Sequence, residues 1–143
     1  MSAWYIHHAL LVSIFVVALV AAYKGGSAER LGAGLFVLDA LAVQVLQVTT
    51  SGQSLELGLL VVDGLMGLGL IALAVGYTSL WLGAALLLQA AQFSLHGYYY
   101  VTHTRVDRLF AIVNNVVSWG ILLCIIAGTL GTWLVSRRAR NSR

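Results

Sequence analysis

The sequence predicts an all-α integral membrane protein: a bundle of five transmembrane helices, N-terminus outside and C-terminus in the cytoplasm. Three observations lead there. The 143 residues are 60% hydrophobic and 9% charged, with a mean hydropathy of +0.92. A soluble domain is nearer 45–50% apolar and about 25% charged. Apolar runs recur at lengths close to the roughly 20 residues that cross about 30 Å of hydrocarbon. Proline is absent while glycine is frequent, and glycine in membrane helices lets backbones approach closely.

The first span, about residues 4–23, holds no Asp, Glu, Lys or Arg. It lacks the basic n-region of a secretory signal, so it is expected to be retained. Lys24-Gly25-Gly26-Ser27 breaks it from a second span at about 30–48. Thr49 to Ser54 forms the next break. Residues 55–100 contain no Lys or Arg, yet as one helix they would be about 69 Å long. The chain must therefore turn inside this stretch, and Gly76-Tyr77-Thr78-Ser79 carries the turn chemistry. Spans at about 55–75 and 78–100 result. Polar residues from Thr102 to Asp107 precede a fifth span at about 108–134. One transmembrane domain thus covers 1–136, and 137–143 form a basic cytoplasmic tail.

Basic residues set the orientation, since cytoplasmic flanks carry the excess of Lys and Arg. With the N-terminus outside, Lys24, Arg30, Arg137, Arg138, Arg140 and Arg143 lie inside, and Arg105 and Arg108 outside. Merging the third and fourth spans would divide them evenly. Trp and Tyr favour interfaces. Trp4, Tyr5 and Tyr98 to Tyr100 then mark the outer face. Tyr23, Tyr77, Trp81 and Trp133 mark the inner one.

Polar residues at membrane depth mark the candidate site. Asp39 and Asp63 lie near the middles of the second and third spans. Each would cost about 2.5–3.5 kcal/mol as an isolated charge, so they must be protonated, paired, hydrated or turned inward. Glu56 lies seven residues before Asp63, on nearly the same helix face. These three are the candidate ion or proton pathway. Gln89, Gln92 and His96 form one stripe on the fourth span. Gln44 and Gln47 on the second span, and Asn114, Asn115 and Ser118 on the fifth, fall in the same outer half. Together they are expected to line a polar cavity opening outward, above an apolar inner half. His7, His8 and His103 are expected at headgroup level or in solvent. Gly120, Cys124, Gly128 and Thr132 repeat every four residues, a ridge suited to internal helix packing or a subunit interface.

The single Cys124 excludes an intramolecular disulfide and a CxxC pair. No P-loop, GxSxG or HExxH signal is present, no metal site is indicated, and an enzyme is not the favoured class. The basic tail reads as a topology signal and not as nucleic-acid binding, and it can meet anionic lipid. The apolar bundle, the Gln-Ala-Ala-Gln-Phe-Ser-Leu-His stretch at 89–96 and the arginine tail resemble small polytopic proteins of the bacterial inner membrane, a group without an assigned activity. That resemblance implies a multi-pass protein of the cytoplasmic membrane and supplies no reaction.

Three functions fit these residues. One is a proton or cation pathway, acting as a homo-oligomer or with partners. Another is a non-catalytic subunit of a larger membrane complex, respiratory, photosynthetic or secretory. The third is a module binding quinone or haem, with His96 as a ligand. The sequence requires no cofactor.

Overall fold

The computed structural model describes residues 3–104 and 107–141, with side chains from residue 8 onward. The expected positions of the Trp4, Tyr5 and His7 side chains, and of Arg105 and Arg143, lie outside the described residues. Five helices fill the described chain: α1 (Ala3–Lys24), α2 (Ser27–Thr49), α3 (Gln53–Gly76), α4 (Leu80–Thr102) and α5 (Arg108–Asn141). No strand occurs among the described residues.

All the expected breaks are present, and two helix bounds differ from expectation for identifiable reasons. α2 begins at Ser27 and not at Arg30, because Glu29 folds back to its start. Glu29 Oε2 accepts a hydrogen bond from the Gly26 N–H at 2.9 Å, satisfying one of the donors a helix start leaves open. α5 continues to Asn141, so most of the tail at 137–143 is helical. The Trp133 ring carries Arg137 at 4.6 Å and Lys24 at 4.9 Å from its centroid. Arginines in a last turn also favour the negative end of the helix dipole.

α2, α3 and α5 are each long and apolar enough to cross a membrane. α4 has comparable length and is not among them; it carries two glutamines, His96 and three tyrosines. The described apolar part of α1, His8–Lys24, is shorter.

Each helix packs on the next, and α5 returns to α1, closing a ring; α2 and α5 touch more lightly across it. Links this short make sequential helices antiparallel. α1, α3 and α5 therefore begin at one end of the bundle, here the upper end. Ile14, Val17, Ala33, Leu70, Leu82, Ala85, Ile121, Leu122 and Ile125 are buried inside. The outside carries exposed Leu19, Val45, Leu65, Leu87 and Leu123. An apolar exterior this extensive suits lipid as the surrounding solvent.

Trp81, the second residue of α4, is turned into the bundle and is 7% exposed. A Cβ on Gly32 would stand 2.6 Å from its ring, and one on Gly128 only 2.4 Å from it. Its indole N–H donates to Glu29 Oε1 at 2.9 Å. A buried acceptor lets the ring turn into the bundle, because its one polar group stays bonded. The small-residue ridge of α5 is spent on this packing. Gly120 receives Leu88 and Gly128 receives Trp81, while Thr132 reaches toward Gly26; Cys124 is partly buried against the core.

Gly128→Ala is expected to destabilise by about 1–3 kcal/mol, the usual effect of overpacking a filled core. Trp81, fixed by Glu29, cannot give way. Gly131→Ala, where a Cβ meets nothing within 4 Å, should be neutral or slightly stabilising through helix propensity. Thermal unfolding of both variants in one detergent compares them directly.

Candidate functional site: a polar chamber in the upper half of the bundle

α4 places Gln89, Gln92 and His96 on one stripe, and that stripe faces α3. It meets Asp63, which is 2% exposed. Gln89 Nε2 donates to the Asp63 carboxylate at 3.3 Å and to its backbone carbonyl at 3.2 Å. Gln92 Nε2 donates to the same carboxylate oxygen, Oδ1, at 3.3 Å. His96 Nδ1 pairs with the other oxygen, Oδ2. This is the one contact at ion-pair distance among the described residues, and it is an ion pair when His96 is protonated. A buried carboxylate is tolerated only when its oxygens are matched in this way.

Beside this clasp lies a chamber of about 110 Å³. α2 supplies Asp39, Gln44 and Gln47 to its wall. α4 supplies Gln92 and His96, and α5 supplies Asn114, Asn115 and Ser118. Leu10, Ile14 and Phe36 complete it with apolar surface. The outer-half polar residues of α2, α4 and α5 thus converge, with the exception of Gln89. Three buried atoms in this wall have no hydrogen-bond partner among the described residues: Asp39 Oδ1, Gln92 Oε1 and His96 Nε2.

Three sequence expectations change. Asp63 does not line the chamber but stands behind it, reached through Gln92 and His96. Its face of α3 points to α4, where three donors gather. Gln89 lines an apolar groove between α3 and α4 with Gly67 and Phe93, because its amide is turned to Asp63. Glu56, two turns or about 10 Å nearer the start of α3, is half-buried and contributes nothing to the chamber wall.

The upper end of the site is tied by residues the sequence reading left out. Asp107 Oδ1 accepts from the Phe110 N–H at 2.9 Å and from the Tyr99 hydroxyl at 2.7 Å. It caps the start of α5 and fastens that start to α4. Phe110 is thereby held against His96, with ring centroids 4.8 Å apart, and against Tyr99 at 5.0 Å. An Asp three residues before a helical N–H is a readable capping signal; its link to Tyr99 is not local. The Phe110 N–H and the Tyr99 hydroxyl hold the Asp107 carboxyl below its ordinary value of 3.8. Glu29 was equally overlooked. Its signal was a Glu at the third position of a helix after Gly-Gly.

No group of three or more His, Cys, Asp or Glu able to hold a metal occurs among the described residues. Comparison with known proteins adds no relative: no family model, no curated protein and no solved structure matches the chain.

His96→Ala removes one partner of a buried pair and should cost about 3–5 kcal/mol, read by chemical unfolding in micelles. His96→Gln, which keeps a donor, should recover part of that loss. Asp107→Ala should lower the melting temperature at neutral pH. Because the folded-state carboxyl titrates below 3.8, the stabilisation by Asp107 is complete above the ordinary carboxylate range. It is lost only as pH falls through the depressed value. Wild type and Asp107→Ala should therefore converge only at the acid end of a melting series.

Proposed function

We propose that the protein is a five-span protein of a bacterial cytoplasmic membrane, N-terminus outside, whose chamber is the outer half of a proton or cation pathway. In this orientation the upper end of the bundle faces outward, and Lys24, Arg30, Arg137, Arg138 and Arg140 face the cytoplasm. That distribution satisfies the positive-inside rule. α1 and α4 complete the five spans, with the polar stripe of α4 turned inward.

One observation carries the functional reading: Asp39, Gln92 and His96 line one cavity, and each holds a buried polar atom without a hydrogen-bond partner among the described residues. Polar side chains that merely join helices bond one another, as Gln89 does with Asp63. Groups left open around a cavity are groups that water or an ion completes. At about 30 Å³ of liquid volume per molecule, the chamber of about 110 Å³ holds roughly four waters. It is smaller than the roughly 300 Å³ from which small-molecule pockets begin, so a quinone or haem ring is the weaker candidate.

The residues then have distinct roles. Asp39 draws positive charge into the chamber. His96 lines the chamber and holds Asp63 through Nδ1, so a proton taken up at Nε2 can be matched by one passed from Nδ1 to Asp63. Gln89 and Gln92 fix the receiving carboxylate. Below the chamber Leu70, Leu122 and Ile125 close the interior, so passage requires the helices to shift or a second copy or partner to complete the route. A purely accessory subunit would have no use for the open acceptors.

Reconstituted in liposomes, the wild type should dissipate an imposed pH gradient or respond to a cation gradient. Asp39→Asn should reduce the rate at least about tenfold, the equivalent of roughly 1.4 kcal/mol in the barrier. Gly131→Ala, at an open position on α5, should leave it unchanged. Absence of flux from the wild type under gradients of either sign would overturn the proposal.

A further inference from the structure

The lower end of the bundle gathers positive charge that the chain's own acids leave unmatched. Lys24 closes α1, Arg30 lies near the start of α2, and Arg137, Arg138 and Arg140 end α5. The sequence has five side-chain carboxylates, Glu29, Asp39, Glu56, Asp63 and Asp107, and only Glu29 belongs to this end. It is buried, and its two oxygens are taken by the Gly26 N–H and the Trp81 indole. None of these five cations stands at ion-pair distance from a carboxylate among the described residues.

Three of the cations are gathered by three elements. Lys24 Nζ and the Arg137 guanidinium lie 4.9 and 4.6 Å from the centroid of the same Trp133 ring. The two charges are thus within about 10 Å of each other, one Debye length at 0.1 M salt. Arg30 folds back on the α1–α2 link, its Nε donating to the Gly25 carbonyl at 3.0 Å. That link packs on α5, where a Cβ on Gly26 would stand 3.3 Å from Thr132 Cγ2. Lys24, Arg30 and Arg137 are exposed, and Trp133 is half-buried. Like charges held this close repel, and an anion from outside the chain relieves the repulsion.

We infer that an anionic phospholipid binds here, its phosphate bridging Lys24 and Arg137 beside Trp133, with Arg30 at the rim. Lys and Arg both bind phosphate, and charge-assisted bonds of this kind are the strong ones. The depth fits a head group. Trp favours the membrane interface, and Arg137 lies one turn, about 6 Å, further along α5. The surface toward the bundle middle fits acyl chains. Val16 and Val20 lead along α1 to Lys24 at helical spacing, and Leu130 leads along α5 to Arg137. All three are exposed. Each cation therefore ends an apolar stripe, which a free phosphate has no use for and a lipid covers. The bridge joins the last turn of α1 to α5, where the ring of helices closes. This inference needs the chain to reside in a bilayer; it does not need the chamber to conduct.

The test is the melting temperature of the full chain in a neutral detergent, titrated with phosphatidylglycerol at fixed pH and ionic strength. A ligand that binds only the folded state raises it progressively with concentration. Phosphatidylglycerol should do so. Phosphatidylcholine with the same acyl chains, and inorganic phosphate, should not. Lys24→Gln and Arg137→Gln should each raise the half-saturating phosphatidylglycerol concentration at least about tenfold, the loss of one charge-assisted bond. Arg138→Gln removes the same charge from a position about 140° round the helix from Trp133, and should shift it less than about twofold. No response of the wild type to phosphatidylglycerol overturns the inference, as does an equal response to phosphatidylcholine or to inorganic phosphate. An equal loss in Arg138→Gln also overturns it, because a basic surface then attracts anionic lipid without a site. The lipid series on the wild type decides even if a variant fails to fold. Flux in liposomes without a phosphatidylglycerol response removes this inference and leaves the pathway. A phosphatidylglycerol response without any flux does the reverse.

Discussion

The burial of Asp63 is the constraint on which the rest of the bundle depends. A carboxylate on the inner face of an apolar helix has no water to bond, and each unmatched oxygen is costly. α4 answers with Gln89, Gln92 and His96 on one stripe. Their spacing permits only one rotation and one height of α4 against α3. The register of the most extensively packed helix pair is thus tied to a polar cluster, where apolar contacts alone would tolerate sliding. The cost of that specificity is a site that removing any partner would leave uncompensated.

From that register the two ends of the bundle acquire different characters. Fixing α4 sets Trp81 at the lower end between Gly32 and Gly128, where only glycines leave room for the indole. Glu29 then serves two elements at once, capping α2 and accepting from Trp81. The lower half packs as a dense interior with its one buried carboxylate bonded on both oxygens. In the upper half the same rotation turns Gln92 and His96 toward α2 and α5. There they line a chamber with Asp39, Gln44, Gln47, Asn114, Asn115 and Ser118. Asp107, Tyr99 and Phe110 close its edge by joining α4 to α5.

The helices were legible in the sequence because their signals are local. Apolar runs of a given length, Gly-Gly and Thr-Thr-Ser-Gly breaks, and the absence of proline each act within a few residues. The 3.6-residue period likewise put Gln92 and His96 on one face, and depth along each helix placed Asp39, Gln44, Asn114 and Asn115 at a common level. An outer polar half and an apolar middle followed from those two counts. Spacing cannot say which way a helix rotates about its axis. The sequence therefore grouped Asp39, Asp63 and Glu56 in one cavity, while packing turned Asp63 to α4 and left Glu56 outside the chamber wall.

What the sequence determined by itself was the set of helices, their breaks and the level of each polar residue, since these depend on neighbours along the chain. Only the tertiary structure decided which polar groups bond one another and which stay open. Asp63 and Asp39 look alike in sequence, each a lone acid among aliphatic residues. One is enclosed by three donors and the other faces a cavity, because α3 packs its acid against the polar stripe of α4 while α2 turns its acid to the ring interior. Trp81 shows the same limit: its place near a helix end was readable, while its turn into the bundle depends on a buried Glu29 and two glycines that supply a partner and a space.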